Sequence, residues 1–501
     1  MTGRTEDFQT WCIEAARSNN EILRAFHTSW SDWIIDNCAL AFATKDCQER
    51  RRFWGRQMAA ALAPENFFWA NPAAVKRLFD TKGESLRKGN ANWLRDAQEM
   101  NRMVTIADRG CFEVGENLAV TPGAVVYRNR LMELLQYSPT TSTVHETPIL
   151  FIQPWINKYY ILDLTPASSM MAWLRDRGFL VFTVSWKNAG SSMRNVGFED
   201  YVFEGALDAV ERVRDITGRN SVHAVGFCIG GTSLATLLAW LSHPAAKTPR
   251  KLSANSPVAH WTLLASLVDF SNPGEPGLLV NADTLRLAEA LMEREGFLDG
   301  AVIEFAFRLL RSDRLIWQPA ARSYFFGDAP PQSDVLYWSS DATRLPKRML
   351  SFYLREFYIN NRLVSPEGIE MNGRRLDLGD ISQPLYLVGC IQDHICPWTQ
   401  TLRIREFVNS PIRFALSSEG HIAGIVNAPS KKSRRRYWVA DVETRIDPLE
   451  WLDGREGLQG SWWPDWARWL AEHCGPQVPA PELGSPEYPP LCSAPGCYVL
   501  E

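Results

Sequence analysis

No stretch of the chain approaches the roughly 20 consecutive apolar residues that a membrane-spanning helix needs. The first residues, Met1 to Asn20, lack the apolar segment of a signal peptide. Basic residues are not in excess: 53 Lys and Arg stand against 57 Asp and Glu, for a formal net charge of −4. That excludes the broad basic surface that general nucleic-acid binding requires. One basic run, Lys431, Lys432, Arg434, Arg435 and Arg436, reads as a solvated loop, with a groove for an anionic substrate as the sharper alternative. There is no internal repeat, no Walker loop and no G-x-G-x-x-G, so nucleotide binding through those motifs is unsupported. The ten cysteines are scattered and read as free thiols, not as a disulfide framework. Cys390, His394 and Cys396 lie close together, but three ligands without a fourth do not make a metal site, and no metal or cofactor is expected.

What is present is a chain of 501 residues, 46% hydrophobic and rich in tryptophan, long enough for two or three domains with a large core. Residues 1–105 read as a helical domain. Ile22, Phe26 and Trp33 share a face at helical spacing, and a second helix is expected from Asp46 to Leu62, before Pro64. This domain either packs its helices on a catalytic domain or offers an aromatic docking face to an apolar partner. From about 106 to 475 strands alternate with helices, which implies a mostly parallel sheet covered on both faces. Leu118–Thr121 and Ala124–Tyr127 read as strands around the Pro122-Gly123 turn, and Pro148–Ile152 as a buried strand. The alternation lapses over about 257–375, an aromatic-rich stretch that reads as an inserted cap. Residues 476–501 form a Pro-rich tail expected to run extended over the surface.

The chain is organised around Gly226-Phe227-Cys228-Ile229-Gly230-Gly231. A β-branched run precedes it, and a helical run from Thr232 to Leu241 follows. Strand, tight turn and helix, with glycine two residues either side of a thiol, is the nucleophile-elbow pattern G-x-S-x-G with Cys in place of Ser. A structural cysteine beside a glycine-rich turn would look the same. The rest of the chain tips the balance, because Asp393 and His421 each follow an expected strand, in the order nucleophile, acid, His of α/β-hydrolases. Both therefore fall at the carboxyl edge of the sheet, where open α/β folds bind ligands.

Roles follow from these residue types. His421 takes the proton of Cys228, since thiolate and not thiol attacks. Asp393 orients His421 or itself acts as a base. The backbone N–H of Ile229 serves an oxyanion, with a second donor from the loop after strand 148–152, at Ile156. Sulfur suits a thioester substrate: transfer to Cys is nearly thermoneutral, and passing the acyl group to a hydroxyl is then downhill, provided water is kept out.

The elbow resembles the lipase-box-like motif of polyhydroxyalkanoate synthases. So do Pro154–Leu164, Ser185-Trp186-Lys187-Asn188, Leu267–Ser271, Leu315-Ile316-Trp317, Tyr337–Arg344, Asp393–Trp398, Gly420–Gly424 and Ser461–Pro464, which together span roughly residues 60–501. The resemblance implies an α/β-hydrolase fold with a cap, and a transferase that polymerises (R)-3-hydroxyacyl-CoA thioesters into polyester with release of CoA. It also implies catalysis by Cys228, Asp393 and His421, a cap that mediates homodimerisation, and activity at cytoplasmic polymer granules among granule-associated proteins. The His421-Ile422-Ala423-Gly424 ending and the long N-terminal region are similar to class I members, which favour short-chain monomers such as 3-hydroxybutyryl-CoA. Three places depart from the family pattern: Gln153 and Ala189 stand where Pro is common, and Ser312-Asp313-Arg314 replaces Pro-Asn-Asp. Two rivals use the same residues, a hydrolase in which water takes the acyl group and a non-catalytic granule protein.

Overall fold

A computed structural model describes residues 2–37, 44–99, 103–244, 256–442 and 446–501. It divides into two compact units, 1–111 with 301–340, and 112–300 with 341–501.

The first unit is helical. Its longest helix runs Thr2–Asn37, followed by Lys45–Ala61, Pro72–Asp80 and Glu84–Gln98. Asn71 caps the third of these through Ala74 N–H, with Pro72 at the first helical position, where its missing donor costs nothing. Residues 301–340, expected within the cap, join this unit instead. The reason is local: Tyr324 donates to Asp96 at 3.0 Å, Ser312 to Gln57 at 2.6 Å, and Arg308 to the carbonyl of Val104 at 2.6 Å. Gly89 packs so tightly that a Cβ there would stand 1.9 Å from the Tyr324 carbonyl oxygen. Arg308 is also ion-paired with Glu304, both buried. Ser312, one of the departures from the family pattern, thus ties 301–340 to the second helix.

The second unit is built on an 11-stranded sheet. In chain order its strands are β1 Gly123–Arg128, β2 Met132–Tyr137, β3 Ile149–Ile152, β4 Val181–Trp186, β5 Val222–Phe227, β6 Val258–Leu264, β7 Leu385–Cys390, β8 Ile412–Ser417, β9 Arg436–Val442, β10 Leu458–Gln459 and β11 Cys492–Ser493. Their order across the sheet is β10-β9-β8-β7-β6-β5-β3-β4-β2-β1-β11. Strands β3 to β8 run parallel, and antiparallel pairs flank them on both sides. Strands β3, β5 and β7 are buried along their whole length, which is why they read as continuous apolar runs. From β3 the chain moves to β4 on one side and then returns past it to β5 on the other, so the crevice at the carboxyl ends of β3 and β5 is a topological switch point.

Three differences from the sequence expectation have physical causes. Residues 118–121 do not form a strand; β1 pairs with β2, a strand that carries Glu133 and Gln136 inside and so conceals its apolar pattern. Val258–Leu264, placed at the head of the insertion, is a central strand between β5 and β7. His260 interrupts its apolar run, but the ring is buried against His223 and bonds the carbonyl of His473. The C-terminal tail is stitched into the fold. Gln477–Pro479 pairs with Thr143–His145, β11 pairs with β1, and the buried Glu133 carboxylate accepts the N–H groups of Cys497 and Tyr498.

Candidate active site

Cys228 follows β5 and heads the helix Ile229–Ser242. Its backbone sits at φ 50°, ψ −122°, a region that residues other than glycine rarely occupy, so the elbow is strained. The neighbouring glycines explain how it closes. A Cβ on Gly226 would lie 2.4 Å from Gly231 Cα, one on Gly230 would lie 2.2 Å from the Ile152 carbonyl oxygen, and one on Gly231 would meet Ser266 Oγ at 2.1 Å. The helix can therefore press against the ends of β3 and β6 only with glycine at these positions.

Asp393 and His421 come from the turns after β7 and β8. His421 Nδ1 bonds Asp393 Oδ2 at 2.7 Å, and both residues are buried. The other carboxylate oxygen, Oδ1, accepts the N–H groups of Ile395 and Cys396, each at 2.8 Å. The His421 turn is held from outside. Trp462 and Trp463 donate their indole N–H groups to the carbonyls of Gly424 and Ile425 at 2.8 and 2.9 Å, and the His421 ring stacks on Phe227.

The sulfur of Cys228 meets two partners. The atoms Cys228 Sγ, Cys396 Sγ and a His421 ring nitrogen all lie within 4.8 Å of one another. The hydrogen bond from the Cys396 thiol draws the Cys228 thiol down to about 5. Burial opposes this shift, while the His421 cation and the Ile229 N–H reinforce it. Burial would push His421 down, but the Asp393 carboxylate and the Cys228 thiolate together hold it well above its usual value. Cys396 is held well above the usual thiol range, by its bond to Cys228 first and by burial second. The resting arrangement is thus a thiolate beside an imidazolium, with a neutral thiol donating to the thiolate. Cys228 stays partly exposed, so a substrate can reach it. Cys390 and His394, weighed from sequence as metal ligands beside Cys396, do not join it in a ligand cluster among the described residues.

The loop after β3 carries Ile156, the expected second oxyanion donor. Thr343 shapes it by donating to the carbonyl of Trp155 at 2.9 Å and accepting the N–H of Asn157 at 2.9 Å, with Asn157 at φ 65°. Asp341 bonds Lys158 at 2.9 Å and Tyr160 at 2.8 Å, and Asn188 accepts the Arg344 N–H at 2.9 Å. The Asp341–Arg344 segment therefore clamps both other stretches of the resemblance, 154–164 and 185–188. Gln153 is fully buried; its side chain donates to Thr183 and its carbonyl accepts the Trp186 indole N–H. Sequence reasoning missed Thr343, Cys396 as a site residue, and the tyrosines Tyr353 and Tyr358. Burial raises both hydroxyls, and the Cys228 thiolate raises them further, with Cys396 also within electrostatic reach of both. The motif Tyr337–Arg344 was visible in sequence, but nothing there pointed its threonine at a loop some 186 residues earlier.

The sequence profile of the family described as "Poly-beta-hydroxybutyrate polymerase (PhaC) N-terminus" matches residues 12–174, and that of the "alpha/beta hydrolase fold" matches residues 162–428. The poly(3-hydroxyalkanoate) polymerase subunit PhaC of Cupriavidus necator is 38% identical over 90% of this chain and 76% of its own length. This chain belongs to the poly(3-hydroxyalkanoate) polymerase family. Two further members are similar over comparable spans. The polymerase of Methylorubrum extorquens is 35% identical over 90% of this chain and 73% of its own length. Polymerase 2 of Ectopseudomonas oleovorans is 36% identical over 91% and 79%. The fold is that of the α/β-hydrolases. The family's activity is acyl transfer, which fits a site that presents a thiolate at a sheet edge.

Proposed function

We propose that this chain polymerises (R)-3-hydroxyacyl-CoA, with short-chain monomers preferred, through a covalent acyl intermediate on Cys228. The observation that carries this reading is the Cys228–His421–Asp393 array at the switch point of the sheet, in a member of a polymerase family. The Cys228 thiolate attacks the thioester carbon. The carbonyl oxygen becomes an oxyanion near the N–H groups of Ile229 and Ile156. In the resting site the Ile229 N–H favours the thiolate, and it is released for the oxyanion as the sulfur acylates. The C–S bond to CoA then breaks, and the leaving thiolate takes the proton of His421.

The 3-hydroxyl of the next monomer or of the growing chain then attacks the acyl-Cys carbonyl. Its proton passes to His421, and the Cys228 thiolate leaves. Both oxygens of Asp393 are already engaged, one by His421 and one by two backbone N–H groups. This supports His421 as the proton carrier in both halves of the cycle, acid to the departing CoA and base to the incoming hydroxyl, with Asp393 as its positioning partner. The chain acts as a homodimer at the surface of cytoplasmic polyester granules among granule-associated proteins. The exposed Trp11, Phe26, Trp33 and Trp69 of the helical unit provide apolar surface suited to that setting.

The test is CoA release from 3-hydroxybutyryl-CoA with analysis of the product. Insoluble polyester with CoA release is expected, and Cys228→Ala abolishes both. Free 3-hydroxy acid as the sole product would make the chain a hydrolase, and turnover retained in C228A would remove Cys228 as nucleophile.

A further inference from the structure

The acyl-transfer cycle uses one thiol, yet the site holds two. Cys396 Sγ lies within 4.8 Å of both Cys228 Sγ and a His421 ring nitrogen. Its position is built, not incidental. The Cys396 N–H is fixed to Asp393 Oδ1 at 2.8 Å, by the same carboxylate that orients His421. Gly274, at φ 66°, packs so closely on this turn that a Cβ would stand 2.5 Å from the His394 carbonyl oxygen. Cys396 is buried, whereas Cys228 is partly exposed. An oxidant therefore reaches the nucleophile first, and the buried thiol behind it is shielded. A partly exposed, low-pKa thiolate beside a second cysteine is the arrangement in which oxidation stops at a recoverable state.

We infer that Cys396 is a resolving thiol, and that peroxide converts Cys228 and Cys396 into a reversible disulfide that stores the enzyme in a protected, inactive form. The inference rests on Cys228 being the reactive thiol, not on which acceptor takes the acyl group. In the first step the Cys228 thiolate attacks one oxygen of hydrogen peroxide. The S–O bond forms, the O–O bond breaks, and the departing hydroxide takes the His421 proton to become water. Sulfur is oxidised to the sulfenic acid and peroxide is reduced. In the second step neutral His421 accepts the Cys396 proton, and the Cys396 sulfur attacks the Cys228 sulfur. The S–S bond forms, the S–O bond breaks, and hydroxide leaves as water with that proton. The sum is two thiols and one peroxide giving one disulfide and two waters. A dithiol reverses it by exchange.

To test this, the reduced native chain is treated with hydrogen peroxide, blocked with iodoacetamide, digested and mapped by mass spectrometry. CoA release is measured before and after dithiothreitol. A peptide linking Cys228 to Cys396, two hydrogens lighter than its parts, is expected, together with lost activity that dithiothreitol restores. In Cys396→Ala and Cys396→Ser, Cys228 proceeds to sulfinic and sulfonic acids, and dithiothreitol-recoverable activity falls by about tenfold. Peptide mapping keeps this pair apart from Cys492 and Cys497, which also lie close together. Sulfinic acid on native Cys228 with no linked peptide overturns the inference, as does equal recovery in the native chain and both variants. The linked peptide is scored by mass, so it stays readable if polyester synthesis fails. A chain that makes polyester but forms no such link keeps the acyl-transfer reading and loses this one.

Discussion

Asp393 divides its carboxylate between His421, bonded at 2.7 Å through Oδ2, and the backbone of its own turn, bonded at 2.8 Å through Oδ1. One side chain thus fixes the imidazole and seats Cys396 beside Cys228. Asp393→Asn keeps the shape but replaces one acceptor oxygen with a donor, which favours the wrong tautomer of His421. Its rate of CoA release should fall by about 10³- to 10⁴-fold, by analogy with orienting carboxylates elsewhere. Steady-state kinetics with 3-hydroxybutyryl-CoA, alongside circular dichroism to establish folding, checks this.

The thiol of Cys228 is drawn down to about 5. A group with a depressed value is ionised above it, so thiolate persists from neutral pH down to that point and is lost on further acidification. Alkylation of Cys228 by iodoacetamide should follow a sigmoid centred near pH 5, not near that of a free thiol. Removing the Cys396 hydrogen bond, the largest of these causes, with Cys396→Ala should move the midpoint upward. A midpoint near 8.5, the free-thiol value, in the native chain would contradict the resting ion pair.

Thr343 holds the 155–157 loop by donating one hydrogen bond and accepting another, both at 2.9 Å. Thr343→Val preserves volume and removes both. At about 1 kcal/mol for each net bond, the loop loses its geometry more than the protein loses its fold. We expect kcat to drop by about tenfold with KM little changed, because a donor to the oxyanion acts mainly in the transition state. Equal losses in thermal stability and activity would assign Thr343 a purely structural role.

On the adjacent strands β5 and β6, His223 and His260 face each other through their Nδ1 atoms, with His223 also bonded to Thr262 and His260 to the His473 carbonyl. Burial pushes His260 down to about 4 and His223 well below its usual value. The unfolded chain therefore binds more protons than the folded one between about pH 6.5 and 4. Stability is fully present above that window and falls as pH drops through it, by on the order of 3 kcal/mol for His260 alone. Urea unfolding at pH 7.5, 5.5 and 4.5 should show this slope, and His260→Gln should flatten it.

Much of the design was legible because it is local. A β-branched run, a glycine-flanked thiol and a helix need only near neighbours to define an elbow, and the apolar strands β3, β5 and β7 announce burial in their composition. Strands β2 and β6 were hidden for the opposite reason. Glu133, Gln136 and His260 are polar residues whose partners, among them Arg128, Tyr498 and His473, lie on other elements, so their burial makes sense only once those partners are in place. Residues 301–340 lie inside the cap stretch along the chain, whereas their hydrogen-bond partners Gln57, Asp96 and Val104 lie more than 200 residues away.

By itself the sequence determined the α/β class, the order Cys228, Asp393, His421, and the family. Each of these is carried by short-range pattern and by the identity of a few residues. Only the tertiary structure decided that Asp393 has no free oxygen, that Thr343 shapes the loop at Ile156, and that Cys396 stands beside Cys228. Hydrogen bonds and thiol contacts act over a few ångströms in space, and the sheet brings together the ends of strands that the chain keeps far apart.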